Sequence, residues 1–119
     1  MKDTSGKIFG GYTFSQWNCG ARFEGDPNAF IFSLANSLYK KIVFNTNHNY
    51  GQAIYWHSRH GPTFGGGYDL YISDNCNQNT DSTTCLGNTY ANPEMAVSST
   101  FLTGSKNFKV KEIEVFQKQ

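Results

Sequence analysis

The chain is poor in most of the features that would announce a chemistry. It has three cysteines in 119 residues, Cys19, Cys76 and Cys85, an odd number without CxxC spacing. Neither a disulfide framework nor a zinc knuckle is built that way. Asn-x-Ser/Thr sequons are missing. The amino terminus, Met1-Lys2-Asp3-Thr4-Ser5-Gly6, carries no apolar run of the kind a secretory signal uses. No hydrophobic stretch approaches the ~20 residues of a membrane-spanning helix. Charge is scarce as well: charged side chains make up 16% of the chain, and Lys plus Arg 10 against Asp plus Glu 9 leaves +1. That balance gives no electrostatic argument for nucleic acid or an anionic membrane. The expectation is a reduced, cytoplasmic protein of one domain, with no cofactor or metal and no insertion in a membrane.

Aromatic rings and glycine are abundant: Phe 10, Tyr 7 and Gly 12. Rings beside β-branched residues suit pleated, half-buried sheet surfaces, so the fold class expected is all-β with minor helix. Strand-like runs are Lys7–Thr13, Ala29–Leu34, Tyr39–Phe44, Ala53–His57, Tyr68–Ser73 and Phe108–Phe116. Ala29–Leu34 is apolar on both parities and reads as a strand buried on two sides. In Tyr68–Ser73, Tyr68, Leu70 and Ile72 share a core-facing side, with Asp69, Tyr71 and Ser73 opposite. In the last run, a bulge at Lys111-Glu112 would bring Ile113 and Val115 back to the apolar face of Phe108 and Val110. Ser15–Asp26, the polar tract from Asn45 to Asn49, and Asp74–Thr89 read as loops, the last long and exposed. Pro93–Leu102 suits a short helix with Asn92 as its N-cap.

The organising stretch runs from Tyr55 to Asp74. Two aromatic strands flank Gly61-Pro62-Thr63-Phe64-Gly65-Gly66-Gly67. Three consecutive glycines imply positive φ or a close approach that excludes a Cβ, and Pro62 interrupts strand pairing. The reading is strand, sharp irregular turn, strand. Gly10-Gly11 likewise marks a bulge or a close backbone crossing.

Gly61–Ile72 resembles the central signature of the TLDc domain family. Ile8-Phe9-Gly10-Gly11-Tyr12-Thr13 is similar to that family's FGGY segment, and Asp26–Leu34 to its DPxAFLFSL run. Phe101–Ser105, which contains Gly104, and Phe108–Phe116, with Glu112 and Glu114, resemble its closing segments. The resemblance implies a two-sheet antiparallel β-sandwich with a few short helices. It also implies a protein-interaction role: binding of the vacuolar-type proton ATPase and protection against oxidative stress, peripheral to endolysosomal or vacuolar membranes through that partner. Family domains are longer and place a helix and strands before the FGGY segment. Residues 1–119 are therefore expected to form a single domain holding roughly its C-terminal two-thirds, as a fragment or a shortened relative. Such a sandwich would expose an unpaired edge and apolar surface.

Several constellations compete with this reading. A phosphate cradle at the glycine turn would need a following Lys and a helix N-terminus; Tyr68-Asp69 and a strand follow instead. His57 and His60, with His48, are candidate metal ligands but lack the four-ligand set of a zinc site. Ser58, His60 and Asp69 or Asp74 offer hydrolase ingredients without a GxSxG elbow. Cys76 and Cys85 are candidate redox thiols beside Asp74 and Asp81, whose charge works against a reactive thiolate. Glu112 and Glu114 share a strand face and, with Asp26 and Asp69, make a candidate acidic binding surface; solvent-facing charge is the plainer reading. No catalytic residue is assigned.

Overall fold

A computed structural model describes residues 1–35, 38–45, 50–93 and 99–117. Among the described residues the strands, in chain order, are β1 Lys2–Asp3, β2 Ile8–Tyr12, β3 Ala21–Glu24, β4 Phe30–Ala35, β5 Leu38–Ile42, β6 Ile54–His57, β7 His60–Phe64, β8 Leu70–Ser73, β9 Ser82–Thr84, β10 Asn107–Phe108 and β11 Val110–Glu112. A 3-10 turn at Tyr50–Gln52 precedes β6. The strands pair into a five-stranded sheet, β11-β1-β2-β4-β5, and a six-stranded sheet, β10-β9-β8-β7-β6-β3. Every strand pairing is antiparallel. The fold is all-β, as the aromatic, strand-like runs imply, and a two-sheet antiparallel sandwich, as the family resemblance implies.

The core lies between the inner faces. Phe9, Ile31, Ile42 and Val110 from the first sheet meet Ile54, Phe64, Leu70 and Ile72 from the second, all buried. Each such side chain contributes about 1.5–3 kcal/mol relative to exposure. Tyr90 is also fully buried; its hydroxyl donates to the Ala53 carbonyl at 2.7 Å. Its ring stacks on Phe44 at 4.8 Å.

The paired glycines of β2 are explained by packing on opposite faces. A Cβ on Gly10 would come within 2.8 Å of the Phe32 ring on the outer face. A Cβ on Gly11 would drive into the Phe64 ring, reaching within 2.7 Å of its Cε1. Gly11 and Phe64 therefore mark the close approach of the two sheets, where sequence shows only a glycine pair. Phe32 is half-buried and can swing outward, whereas Phe64 is 2% exposed and cannot. Gly11→Ala is expected to cost about 1–3 kcal/mol of unfolding free energy by overpacking. Gly10→Ala is expected to cost about 1 kcal/mol or less, because strand entropy offsets part of the clash. Urea melts of the two variants measure the difference, and equal losses contradict it.

Four expectations are corrected. Ser15–Asp26 contains β3, which lies between Gly20 (φ 136) and Gly25 and pairs with β6 along its whole length. Asp74–Thr89 contains β9, with Ser82 and Thr84 wholly buried and Leu86 3% exposed. β4 is buried on one side only: Ile31 and Ser33 face the core, while Leu34 on the other parity is 37% exposed. At the carboxyl end the register of β11 against β1 does shift across Lys111, as a bulge there would make it, but the apolar face is not restored. Phe108 pairs in the second sheet and Val110 in the first, so the chain changes sheets at Lys109. Ile113, Val115 and Phe116 are then left 45%, 84% and 84% exposed. The helix expected over 93–102 falls largely on residues 94–98, outside the described residues. His48 and most of the 45–49 tract lie outside them too.

The organising stretch is also rearranged. Pro62 does not break the strand; it sits within β7, where the register to β8 shifts between His60 and Thr63. A bulge is a place where a missing N–H costs no ladder bond. The chain reverses twice here, at Ser58-Arg59 and at Gly65–Asp69.

Candidate functional site

The second reversal encloses a buried carboxylate. Asp69 is 0% exposed, against the expectation that it faces outward from its strand. Its oxygens accept N–H bonds from Asn88 (3.1 Å), Thr89 (3.0 and 3.1 Å) and Tyr90 (3.0 Å). Its own carbonyl accepts from the Thr84 hydroxyl at 2.8 Å and from the Cys85 N–H at 3.2 Å. One aspartate thus ties the Gly65–Asp69 turn to the whole 84–90 segment. Burial pushes its carboxyl above the ordinary range, while the N–H bonds of Thr89, Tyr90 and Asn88 pull the other way. Burial also pushes up the Tyr90 hydroxyl, with the Asp69 charge adding to it.

The glycine triplet is shaped around this carboxylate. Gly65 has φ 90, and a Cβ there would overlap the Asp69 Oδ1. Gly66 donates its N–H to the Thr89 hydroxyl at 2.8 Å, and its missing Cβ leaves room for the Gln52 amide. At Gly67 the Asn88 side chain occupies the equivalent space. The triplet cradles the protein's own carboxylate and side chains.

Asp26 does similar work at another corner. It is 4% exposed and accepts from the Phe14 N–H (2.6 Å), the Thr13 hydroxyl (2.8 Å) and the Asn28 N–H (2.9 Å). Burial works to raise its pKa, but the hydrogen bonds from Asn28, Phe14 and Thr13 outweigh it, and the value falls below the ordinary one. The folded state then holds this proton more weakly than the unfolded chain does. The stability so gained is present above the ordinary aspartate value of about 3.9 and is lost as pH falls through the folded value. Between about pH 4 and pH 2 the native chain's Tm is expected to fall more steeply than that of Asp26→Asn. Parallel acid limbs of the two curves contradict this.

Asp26 and Asp69 are therefore interior anchors and do not join Glu112 and Glu114 in an acidic surface. Glu112 ends β11 and is exposed; Glu114 lies beyond the strand and is exposed too. Gly61 lies under β8, where a Cβ would meet the Ile72 carbonyl oxygen at 2.8 Å, and Gly104 has φ 83 with open space around it.

The hydrolase ingredients are not assembled. Ser58 is exposed at the tip of the β6–β7 reversal, and Asp69 is committed to the backbone of residues 88–90. His60 instead packs on His57, with ring centroids 4.5 Å apart. Burial and then the His57 charge hold its pKa below the ordinary value. Among the described residues no group of three or more His, Cys, Asp or Glu side chains could hold a metal ion. No disulfide joins Cys76 and Cys85, and burial pushes the Cys76 thiol up, with Asp74 adding to it. That is the opposite of an activated thiolate.

Sequence reasoning missed the partners that matter most: Thr84, Asn88, Thr89 and Tyr90 around Asp69, Gln52 under the turn, and the rings of Tyr55, Tyr68 and Tyr71. The Asn-, Thr- and Ser-rich composition of 74–89 gave a signal for side chain–backbone bonding, but not for its target.

The glycine turn folded over Asp69, the Gly10–Gly11 crossing and the Asp26 corner coincide with the three N-terminal motifs quoted above. The model of the TLDc domain family matches residues 1–119. The chain belongs to the TLDc domain family. Among curated proteins it is similar to the MTOR-associated protein MEAK7 of Gallus gallus, 29% identical over 124 residues, covering 98% of this chain and 24% of that relative. The Xenopus laevis protein of the same name is 25% identical over 119 residues, with 98% and 25% covered. The Danio rerio protein is 37% identical over 49 residues, 41% of this chain and 10% of the relative. The chain spans about a quarter of the length of the first two relatives. No solved structure matches it. Within this TLDc chain, among the described residues, no helix is long and apolar enough to cross a membrane.

Proposed function

We propose that this TLDc chain is a non-catalytic protein-interaction module, acting in the cytoplasm on the vacuolar-type proton ATPase and in protection against oxidative stress. The observation that carries the reading is the outer face of the first sheet. A sandwich sheet ordinarily alternates apolar-in with polar-out, but here Ile8, Tyr12, Phe30, Phe32, Leu34 and Tyr39 all lie on the outer parity, in register across β2, β4 and β5. Ile8 is 39%, Leu34 37% and Tyr39 59% exposed. Ile113, Val115 and Phe116 of the tail line a cleft of about 610 Å³ together with Ile8, Tyr12, Phe30, Phe32 and Tyr39 of this face. A contiguous apolar surface of this kind is characteristic of interaction sites. The relatives' name, which describes an association with mTOR, supports an interaction role for a domain of this family. The pump itself is taken from the family resemblance.

The test is capture of solubilised vacuolar-type ATPase by the folded chain and by a Leu34→Asp/Tyr39→Asp variant. Those two residues form a cross-strand pair on the exposed face, so the variant is expected to melt cooperatively. Capture by the native chain and loss in the variant support the proposal. Equal capture by both, or none by a cooperatively melting native chain, sinks it.

A further inference from the structure

The outer face of the second sheet carries a different surface. Phe23 on β3, Tyr55 and His57 on β6, His60 on β7, Tyr71 on β8 and Tyr68 in the preceding turn form one connected layer of rings. Centroid distances run 4.8 Å for Phe23–Tyr55, 5.8 Å for Tyr55–His60, 4.8 Å for His60–Tyr71 and 5.2 Å for Tyr68–Tyr71. Thr63, paired with Tyr71 on this face, is fully buried, yet Phe23 and Tyr68 remain 36% and 38% exposed. Rings this close leave no gap between them, so the surface is a platform rather than a cage.

Tyr68 is the unusual member. Its φ is 58, in the left-handed region that a bulky side chain rarely adopts. Such a backbone costs about 1–2 kcal/mol for a non-glycine residue, and three glycines directly precede it. Glycine at this position would relieve the strain; tyrosine there lays a ring flat on Tyr71, with an interplanar angle of 24°. Strain retained at an exposed aromatic residue is a mark of a binding position.

The rim of the platform is anionic. Burial raises the pKa of the Tyr71 hydroxyl, followed by Tyr68 and then the charges of Asp81 and Asp74. Asp74 directly follows β8 and Asp81 directly precedes its neighbour β9, so both carboxylates lie on the Tyr71 side of the layer. Asp74 and Asp81 are exposed, and the ion pair found among the described residues is Arg22–Glu24, elsewhere on the sheet. Ring faces carry negative electrostatic potential, and the two carboxylates add to it. The charge complement is a cation with a flat or extended shape.

We propose that this platform docks an extended, arginine- or lysine-bearing peptide segment of another protein, its cationic side chain lying over Tyr68 and Tyr71 and ion-paired with Asp74 and Asp81. The platform requires neither the first-sheet cleft nor the proton pump.

The test is calorimetric titration of the full chain with an alternating Arg-Gly peptide, with an alternating Glu-Gly peptide and a polyproline peptide as comparators. The Arg-Gly peptide is expected to bind and the Glu-Gly peptide not to. Tyr68→Gly, which relieves backbone strain and so keeps the fold, is expected to weaken binding about threefold to tenfold. Asp74→Asn/Asp81→Asn is expected to weaken it by a similar factor and to flatten its salt dependence. Leu34→Asp/Tyr39→Asp is expected to bind the peptide as the native chain does, which separates this surface from the first-sheet reading. Unchanged affinity in Tyr68→Gly, polyproline binding as tight as Arg-Gly, or no Arg-Gly binding overturns the proposal.

Discussion

Replacing Asp69 with alanine is expected to lower the unfolding free energy by about 3 kcal/mol or more, a large part of a small domain's stability. The N–H groups of Asn88, Thr89 and Tyr90 end on this one carboxylate, and Thr89 bonds both oxygens. Alanine leaves those donors facing a space that water reaches poorly, since Asp69 and Tyr90 are each 0% exposed. Each orphaned buried donor costs about 1–3 kcal/mol. Asp69→Asn keeps one carbonyl oxygen but points an NH2 at donors, so it is expected to lose less than alanine and more than a surface change. Circular dichroism melts rank the three chains. The order native, asparagine, alanine is the expected one; an alanine variant as stable as the native chain removes the anchoring role.

The second large effect is at Gly65. Its φ of 90 suits glycine, and a Cβ would also overlap the carboxylate it encloses. Gly65→Ala therefore adds a backbone penalty of about 1 kcal/mol or more to a clash against a fixed partner. A combined loss of about 2–4 kcal/mol is expected. Gly66→Ala provides the internal comparison: it has no positive φ, and its Cβ would meet the end of the Gln52 side chain, which can rotate away. Its loss is expected to be less than half as large. The two glycines are adjacent in a row of three, so sequence alone would rank them alike.

What was legible in the sequence follows from what each signal encodes. β2, β4, β5, β6 and β8 stood out because aliphatic and aromatic side chains recur within each of them. β3 and β9 did not, since Ala21-Arg22-Phe23-Glu24 and Ser82-Thr83-Thr84 become strands through partners far along the chain. The tail misled for a related reason: Ile113 and Val115 look like core residues, but the sheet ends at Glu112. At the site, the glycines announced that a Cβ could not fit without saying what stood in its way. The partners are Phe64 at Gly11, the Asp69 carboxylate at Gly65 and the Asn88 amide at Gly67. Asp26 and Asp69 looked like surface charges because a sequence shows the carboxylate and not the backbone N–H groups that allow it to be buried. The aromatic platform was hidden for the same reason, as Tyr55, Tyr68 and Tyr71 are brought together by register.

On this account the Gly61–Ile72 stretch of this chain is architectural: the glycine turn closes over Asp69, and both exposed faces depend on the sandwich it secures. Amide hydrogen exchange at Asn88, Thr89 and Tyr90 tests this most directly. In the native chain these three amides are expected to exchange only through global unfolding, with protection equal to that of the β8 amides. In Asp69→Asn they are expected to become the fastest-exchanging buried amides while β2 and β4 stay protected. Fast exchange of all three in the native chain, or unchanged protection in Asp69→Asn, would contradict the account.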